Sequence, residues 1–184
     1  MIIIGITGTL GAGKGTIVEY LENKEGFSHF SVRNYLIEVI KNRGLEVNRD
    51  SMTMVANELR KNNSPSFIID EIYAKAAQSG KDCIIESIRT PGEIQSLKTK
   101  GDFTLLAVDA DSKIRYERIT ERKSETDRIS FETFIANEQR EMTTDDPNKQ
   151  NLKKCIDSAD FVLNNDGSID DLHKQVEEIL TRIK

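Results

Sequence analysis

The chain has 184 residues, 37% of them hydrophobic and 31% charged, and its 26 basic and 31 acidic side chains give a formal net charge of −5 at pH 7. That length suits a single domain whose central sheet is covered by helices, and the charged fraction fits a well-solvated globular surface. The acidic balance argues against a nucleic-acid duplex as partner. The N-terminal apolar run is too short to cross a bilayer and lacks the basic flank and small-residue site of a secretion signal, so no membrane partner is expected. Cys83 and Cys155 stand apart without metal spacing and read as small residues of a reducing cytoplasm, the expected location. His29 and His173 are the only histidines. Neither has a plausible ligand cluster of His, Cys or Asp/Glu nearby, which leaves little to build a zinc site or a Ser-His-Asp triad.

In chain order, the apolar run predicts a strand at Ile2–Ile6 and then a helix over Lys14–Leu21. A strand at Phe27–Phe30 leads to helices at Val32–Arg43, Ser51–Lys61 and Pro65–Gln78. Next come a strand at Asp82–Glu86, a helix at Pro91–Thr99, a strand at Phe103–Asp109 and helices at Lys113–Lys123, Phe131–Met142 and Leu152–Asp157. A strand at Asp160–Asn164 and a helix at Ile169–Ile183 close the chain. This alternation predicts an α/β fold of three α/β/α layers around a five-stranded parallel sheet, with ligands beyond the carboxyl ends of the strands. The charged stretch Glu121–Thr126 reads either as part of a lid or as a solvated loop.

Gly8-Thr9-Leu10-Gly11-Ala12-Gly13-Lys14-Gly15-Thr16 falls between the first strand and the first helix. Glycines let successive backbone N–H groups converge on phosphate oxygens, the helix N-terminus adds partial positive charge, and Lys14 adds a full one. Strand, loop and helix in that order make this a phosphate-binding motif. The hydroxyl that usually follows the lysine, and that reaches Mg²⁺, is displaced by one residue: Gly15 takes its slot and Thr16 follows, a weak metal contact at best. Phosphoryl transfer between two anions calls for cations from several directions, and arginine's planar fork suits that task. Arg33 opens a helix behind Ser31, where the helix dipole disfavours a cation, which points to a ligand role. Glu86 ends a buried strand, placed to order Mg²⁺-bound water, and Arg89 follows it; the two can also be read as a structural pair. Arg115, Arg118 and Arg122 share one helix face, as they also would on a solvated helix carrying Glu117 and Glu121.

The loop Gly8–Thr16 resembles that of the adenylate kinase group of nucleoside monophosphate kinases. Glu86-Ser87-Ile88-Arg89 is similar to the Asp-Gly-Ile-Arg segment of archaeal adenylate-kinase-related proteins, with Glu for Asp and Ser for Gly. Arg118 and Arg122 match the R-x-x-x-R that precedes the lid in these kinases. Ala159–Ser168 resembles the segment that borders the donor adenine in dephospho-coenzyme A kinases. Ser168 also reads as a helix N-cap. The resemblance implies a P-loop kinase fold in one domain over 1–184, with an acceptor-binding flap at 31–79 and a short helical lid at about 121–140. It implies ATP and Mg²⁺ as cofactors and a small-molecule nucleotide acceptor. The loop from Gly8, with Gly11, Ala12, Gly13, Lys14, Gly15 and Thr16, would hold the donor phosphates, with Arg118, Asn165 and Gly167 at its base. Arg33, Glu86, Arg89 and Arg140 would serve the acceptor, and Lys14, Arg89, Arg122 and Arg128 the transferring group. Asn57 and Arg60 read as base or phosphate contacts, or as surface residues. Dephospho-coenzyme A kinase is the alternative enzyme, and a nucleotide-dependent regulatory switch is the alternative of another class.

Overall fold

The structure is a computed structural model that describes residues 1–122 and 128–184. Five parallel strands, β1 (Ile2–Gly8), β2 (Ser28–Ser31), β3 (Cys83–Glu86), β4 (Asp102–Asp109) and β5 (Phe161–Asn164), lie in the order β2-β3-β1-β4-β5. The helices among the described residues are α1 (Lys14–Glu25), α2 (Val32–Asn42), α3 (Arg49–Asn62), α4 (Phe67–Ser79), α5 (Pro91–Lys98), α6 (Ser112–Arg122), α7 (Phe131–Met142), α8 (Leu152–Asp157) and α9 (Ile169–Ile183). This is the three-layer α/β/α P-loop kinase fold.

Alternation along the strands sorts the isoleucines into two cores. Ile3, Ile85 and Leu105 point to one face, where they pack with Leu36, Val55, Ile69 and Leu97 of α2 to α5. Ile4, Ile6, Ile84 and Leu106 point to the other, against Ile17 and Leu21 of α1 and Leu172 and Val176 of α9. A strand buried on both faces has no polar side to show, which is why the runs Ile2–Ile6 and Cys83–Ile85 are continuously apolar. Each such fully buried Ile contributes about 1.5–3 kcal/mol of transfer free energy. Both cysteines are free and buried within this packing.

The helix starts differ from the sequence expectation where capping decides them. Helix α3 begins two residues before Ser51 because Asn48 Oδ1 accepts from Ser51 N at 2.9 Å and Ser51 Oγ accepts from Asn48 N at 3.0 Å, a reciprocal cap with Ser where Glu is usual. Helix α1 runs on to Glu25, where Gly26 takes a left-handed conformation at φ 75°. Of the expected lid, 123–127 lie outside the described residues. Of the rest, 121–122 end α6, 128–130 are without regular structure and 131–140 lie in α7, which buries Phe134 and joins α6 through Arg115, whose Nη2 meets Glu138 Oε1 at 3.0 Å. No helix among the described residues is long and apolar enough to cross a membrane.

Candidate active site

Strand β1 lies at the centre of the sheet, flanked by β3 and β4, so its carboxyl end opens at the point where the chain's crossovers diverge. From Gly8 the backbone turns through a loop that enters α1 at Gly13, which has φ 106° and acts as N-cap with no side-chain bond. A Cβ on Gly13 would come within 2.2 Å of Asn165 Nδ2, so the position requires glycine on both conformational and steric grounds. No acidic residue lies in the first turn of α1 either. Its N-terminal N–H groups are thus left to an anion.

Lys14 Nζ donates to the loop's own carbonyls, Gly8 O at 3.0 Å and Thr9 O at 2.8 Å. Burial, then the charge of Arg89, lowers its pKa from 10.5 to about 7, with Arg122 pushing the same way and Glu86 and Glu141 opposing. A phosphate beside Nζ restores the ammonium, so between these limits the bound state carries more protons than the free one. Nucleotide binding is therefore expected to take up a fraction of a proton at pH 8 and to weaken as pH rises above about 7. Calorimetry in buffers of different ionisation heat measures that uptake directly.

The neighbouring strand β3 ends at Glu86. Ser87 follows at φ 73°, the left-handed region that a glycine would adopt freely, and the bonds Ser87 N to Ile6 O (3.0 Å) and Thr7 Oγ1 to Ile88 O (2.8 Å) hold this turn against β1. Glu86 does not pair with Arg89. Its Oε2 stands 3.4 Å from His29 Nε2 of β2, and its Oε1 accepts from Ser87 Oγ at 3.0 Å. The β2–β3 pairing thus gives His29 a single acidic neighbour that its sequence surroundings did not show. Burial alone would raise the Glu86 carboxyl, but His29, the Lys14 charge and Ser87 outweigh it and hold the pKa down at about 2.

A cavity of about 840 Å³ opens at this edge. Gly11, Gly13, Lys14, Gly15 and Thr16 line it from the loop, together with Arg33, Glu86, Arg89, Arg118, Arg122, Asn165 and Gly167. Arg118 Nη2 donates to Asn165 O at 2.8 Å while Asn165 Nδ2 donates to Ala12 O at 2.8 Å, pinning the loop to the segment after β5. Gly8 contributes its carbonyl to Lys14, and Ala12 is buried. Arg128 and Arg140 are not among the lining residues: Arg128 is exposed, and Arg140 Nη2 lies 3.6 Å from Asp50 Oδ1 on a half-exposed side chain. Arg115 is no solvated helix residue either. It is buried, and its guanidinium props the loop from behind through Ala110 O at 2.7 Å and Leu10 O at 3.2 Å.

Four further residues, three of them lining the cavity, were not singled out from sequence, or were read as possible surface residues. Arg60 is 2% exposed, and its Nε and Nη2 donate to Glu93 Oε1 at 3.2 and 2.7 Å. Glu93, fully buried, uses its other oxygen for the backbone N–H groups of Arg89 (2.8 Å) and Thr90 (3.0 Å). Arg49 and Glu141 also line the cavity and meet there. Glu141 sits in the last turn of α7, where the helix dipole disfavours an acid. That misplacement is the one signal sequence reading had for it.

A central parallel sheet, a glycine loop from its middle strand and a cation-lined cavity at its carboxyl edge define a P-loop kinase fold. The chain belongs to the AAA domain family (AAA_18), matched over residues 4–146. Over their whole lengths its relatives include a UPF0200 protein of Pyrobaculum aerophilum, 26% identical across 99% of this chain and 98% of the relative, and a UPF0200 protein of Methanocaldococcus jannaschii, 28% identical across 100% and 91%. Among solved structures, a gluconokinase from Sinorhizobium meliloti superposes with a TM-score of 0.62 at 13% identity, covering 99% of this chain and 93% of that one. A shikimate kinase from Aquifex aeolicus gives 0.56 at 15% identity, covering 98% and 96%. At such identities the likeness is one of fold.

Proposed function

We propose that this protein is an ATP-dependent phosphotransferase whose acceptor is a nucleoside monophosphate, as in the adenylate kinase group. The observation that carries the reading is the convergence of Lys14, Arg33, Arg49, Arg89 and Arg122 on one cavity in a chain that is acidic overall. So many cations in one cleft suit two polyphosphate-like anions brought end to end.

In this reading the loop amides and Lys14 hold the β- and γ-phosphates, and Arg118, Asn165 and Gly167 border the donor base. Arg33 and Arg89 orient the acceptor phosphate, and Arg122 stands between the two. The bond from the γ-phosphorus to the bridging oxygen of ADP breaks as one to an acceptor phosphate oxygen forms. A phosphomonoester is already largely dianionic at pH 7, its second pKa being about 6, so the attacking oxygen needs no base. That matches a site whose acid, Glu86, is held ionised and has no proton to exchange near neutrality. The same ionised carboxylate beside Lys14 fits Mg²⁺ held through water, with Thr16 as the nearest hydroxyl of the loop. No cluster of three or more metal-ligating side chains exists among the described residues to cage the ion directly. When bound, the ion neutralises charge on the donor phosphates.

A hydroxyl acceptor, as in dephospho-coenzyme A kinases, is the second reading, favoured by the position of Glu86 for orienting a hydroxyl. Steady-state turnover with ATP against ribo- and deoxynucleoside monophosphates and dephospho-coenzyme A separates the two. The proposal expects turnover of at least one monophosphate and none of dephospho-coenzyme A; the reverse result overturns it. Slow ATP hydrolysis indifferent to every acceptor points instead to a regulatory switch.

A further inference from the structure

Glu141 is 6% exposed, and its two oxygens are divided between two arginines from distant parts of the chain. Oε1 accepts from Arg49 Nη2 at 2.6 Å, and Oε2 accepts from Arg89 Nη1 at 2.8 Å. Arg49 opens α3, in the expected acceptor flap, and Arg89 follows β3; all three side chains line the cavity that holds Lys14. Their charges reach the lysine, since Arg89 and Glu141 both act on its pKa. The place where the two guanidinium groups converge is therefore an anion seat next to the phosphate loop.

A carboxylate fills that seat incompletely. It satisfies only Nη2 of Arg49, and Arg49 Nε is buried with no hydrogen-bond partner among the described residues. Arg89 Nη1 is shared between Glu141 and Gln150 Oε1, the latter at 3.1 Å. A phosphomonoester offers three oxygens and nearly twice the charge, so it can take the Nε and Nη2 fork of Arg49 together while still meeting Arg89. We infer that the Arg49–Arg89 seat belongs to the acceptor's phosphate and that Glu141 is its built-in competitor, a placeholder carboxylate that the incoming phosphate displaces. The inference rests on the monophosphate reading of the site. It adds Arg49 as an acceptor-binding residue and gives Glu141 a role opposite to that of a simple prop. As long as Glu141 holds the seat, two cations near Lys14 share one negative charge and α3 is tied to α7. Displacement frees the carboxylate and breaks the buried α3–α7 ion pair only when an acceptor is present, leaving the exposed Arg140–Asp50 contact.

A double-mutant cycle on the full chain tests this, using Arg49→Gln and Glu141→Gln singly and together. The KM for the best monophosphate and the KM for ATP are measured separately. If Glu141 competes with the phosphate, Glu141→Gln lowers the acceptor KM severalfold and moves the ATP KM far less, by no more than the loss of its small charge effect on Lys14. Arg49→Gln raises the acceptor KM about tenfold or more, and does so in the Glu141→Gln background too, because Arg49 touches the phosphate itself. If Arg49 and Glu141 merely brace one another, Glu141→Gln raises the acceptor KM and Arg49→Gln adds nothing to it; that result overturns the inference with the kinase reading intact. Should Glu141→Gln fail to fold, Glu141→Asp replaces it, since its shorter side chain keeps a charge but cannot span both guanidinium groups. Wild-type protein inactive on every monophosphate overturns the acceptor reading and this inference with it.

Discussion

Lys14→Ala is expected to lower kcat by about 10²–10³-fold, the loss typical of removing one preorganised charge donor from a transition state, while the melting temperature stays the same or rises. The two halves of the result have separate causes. Turnover falls because nothing else in the loop carries a full charge onto the transferring oxygens. Stability does not fall because the ammonium bonds only two loop carbonyls, Gly8 O and Thr9 O. It is desolvated beside Arg89 and Arg122, a crowding that already drives its pKa down to about 7. Removing it relieves like-charge repulsion, the usual trade between a strained site and a stable one. Steady-state kinetics with thermal melts at pH 7 check both halves. A kcat within threefold of wild type would remove Lys14 from the proposed chemistry.

The largest stability effect is expected at Glu93. Glu93→Ala should destabilise the fold by about 3–5 kcal/mol, because it leaves a buried guanidinium without its counter-charge. The carboxylate is 0% exposed and serves four donors: two nitrogens of Arg60, and the backbone N–H groups of Arg89 and Thr90. It also closes the cap of α5 with Thr90, whose Oγ1 accepts from Glu93 N at 3.2 Å. Urea unfolding measures the loss, and a change under about 1 kcal/mol would contradict the arrangement. Replacing Arg60 and Glu93 together with Met should recover much of the loss, since a buried ion pair is often matched by apolar packing. Because Glu93 also fixes the Arg89 backbone, the single variant should bind acceptor more weakly even where it remains folded.

Most of the architecture was legible in the sequence because strands buried on both faces leave unbroken apolar runs, and helices on one face leave periodic ones. Ile2–Ile6 and Ile169–Ile183 needed nothing more. The phosphate loop was equally plain, since its glycines and Lys14 follow one another in the chain. What escaped were groupings made by tertiary contact. Arg60 and Glu93 are 33 residues apart, and Arg49 and Glu141 are 92 apart. In sequence each is one more charge on an amphipathic helix, and the pattern does not separate a solvated charge from a buried, paired one. Arg115, read with Arg118 and Arg122 as one helix face, gave no sign of its burial for the same reason. His29 became a neighbour of Glu86 only through strand pairing, with Ser31 opposite Glu86 in register. Arg140 shows the converse: its place beyond the expected lid made it a candidate, but it meets Asp50 and is not among the residues that line the cavity.

The placement of the two cysteines has a practical corollary. Burial pushes the Cys83 thiol up to about 11 and the Cys155 thiol up to about 12, and neither side chain is accessible in the folded chain. Alkylating reagents attack thiolate, so the native molecule is inert towards them and only transiently opened molecules are modified. Cys83 lies in β3, three residues before Glu86, and Cys155 lies in α8, four residues beyond the Asn151 N–H that bonds Arg89 O. Their rates of labelling are thus a clock, already wired into the polypeptide, for how often the floor beneath the arginine cluster breathes.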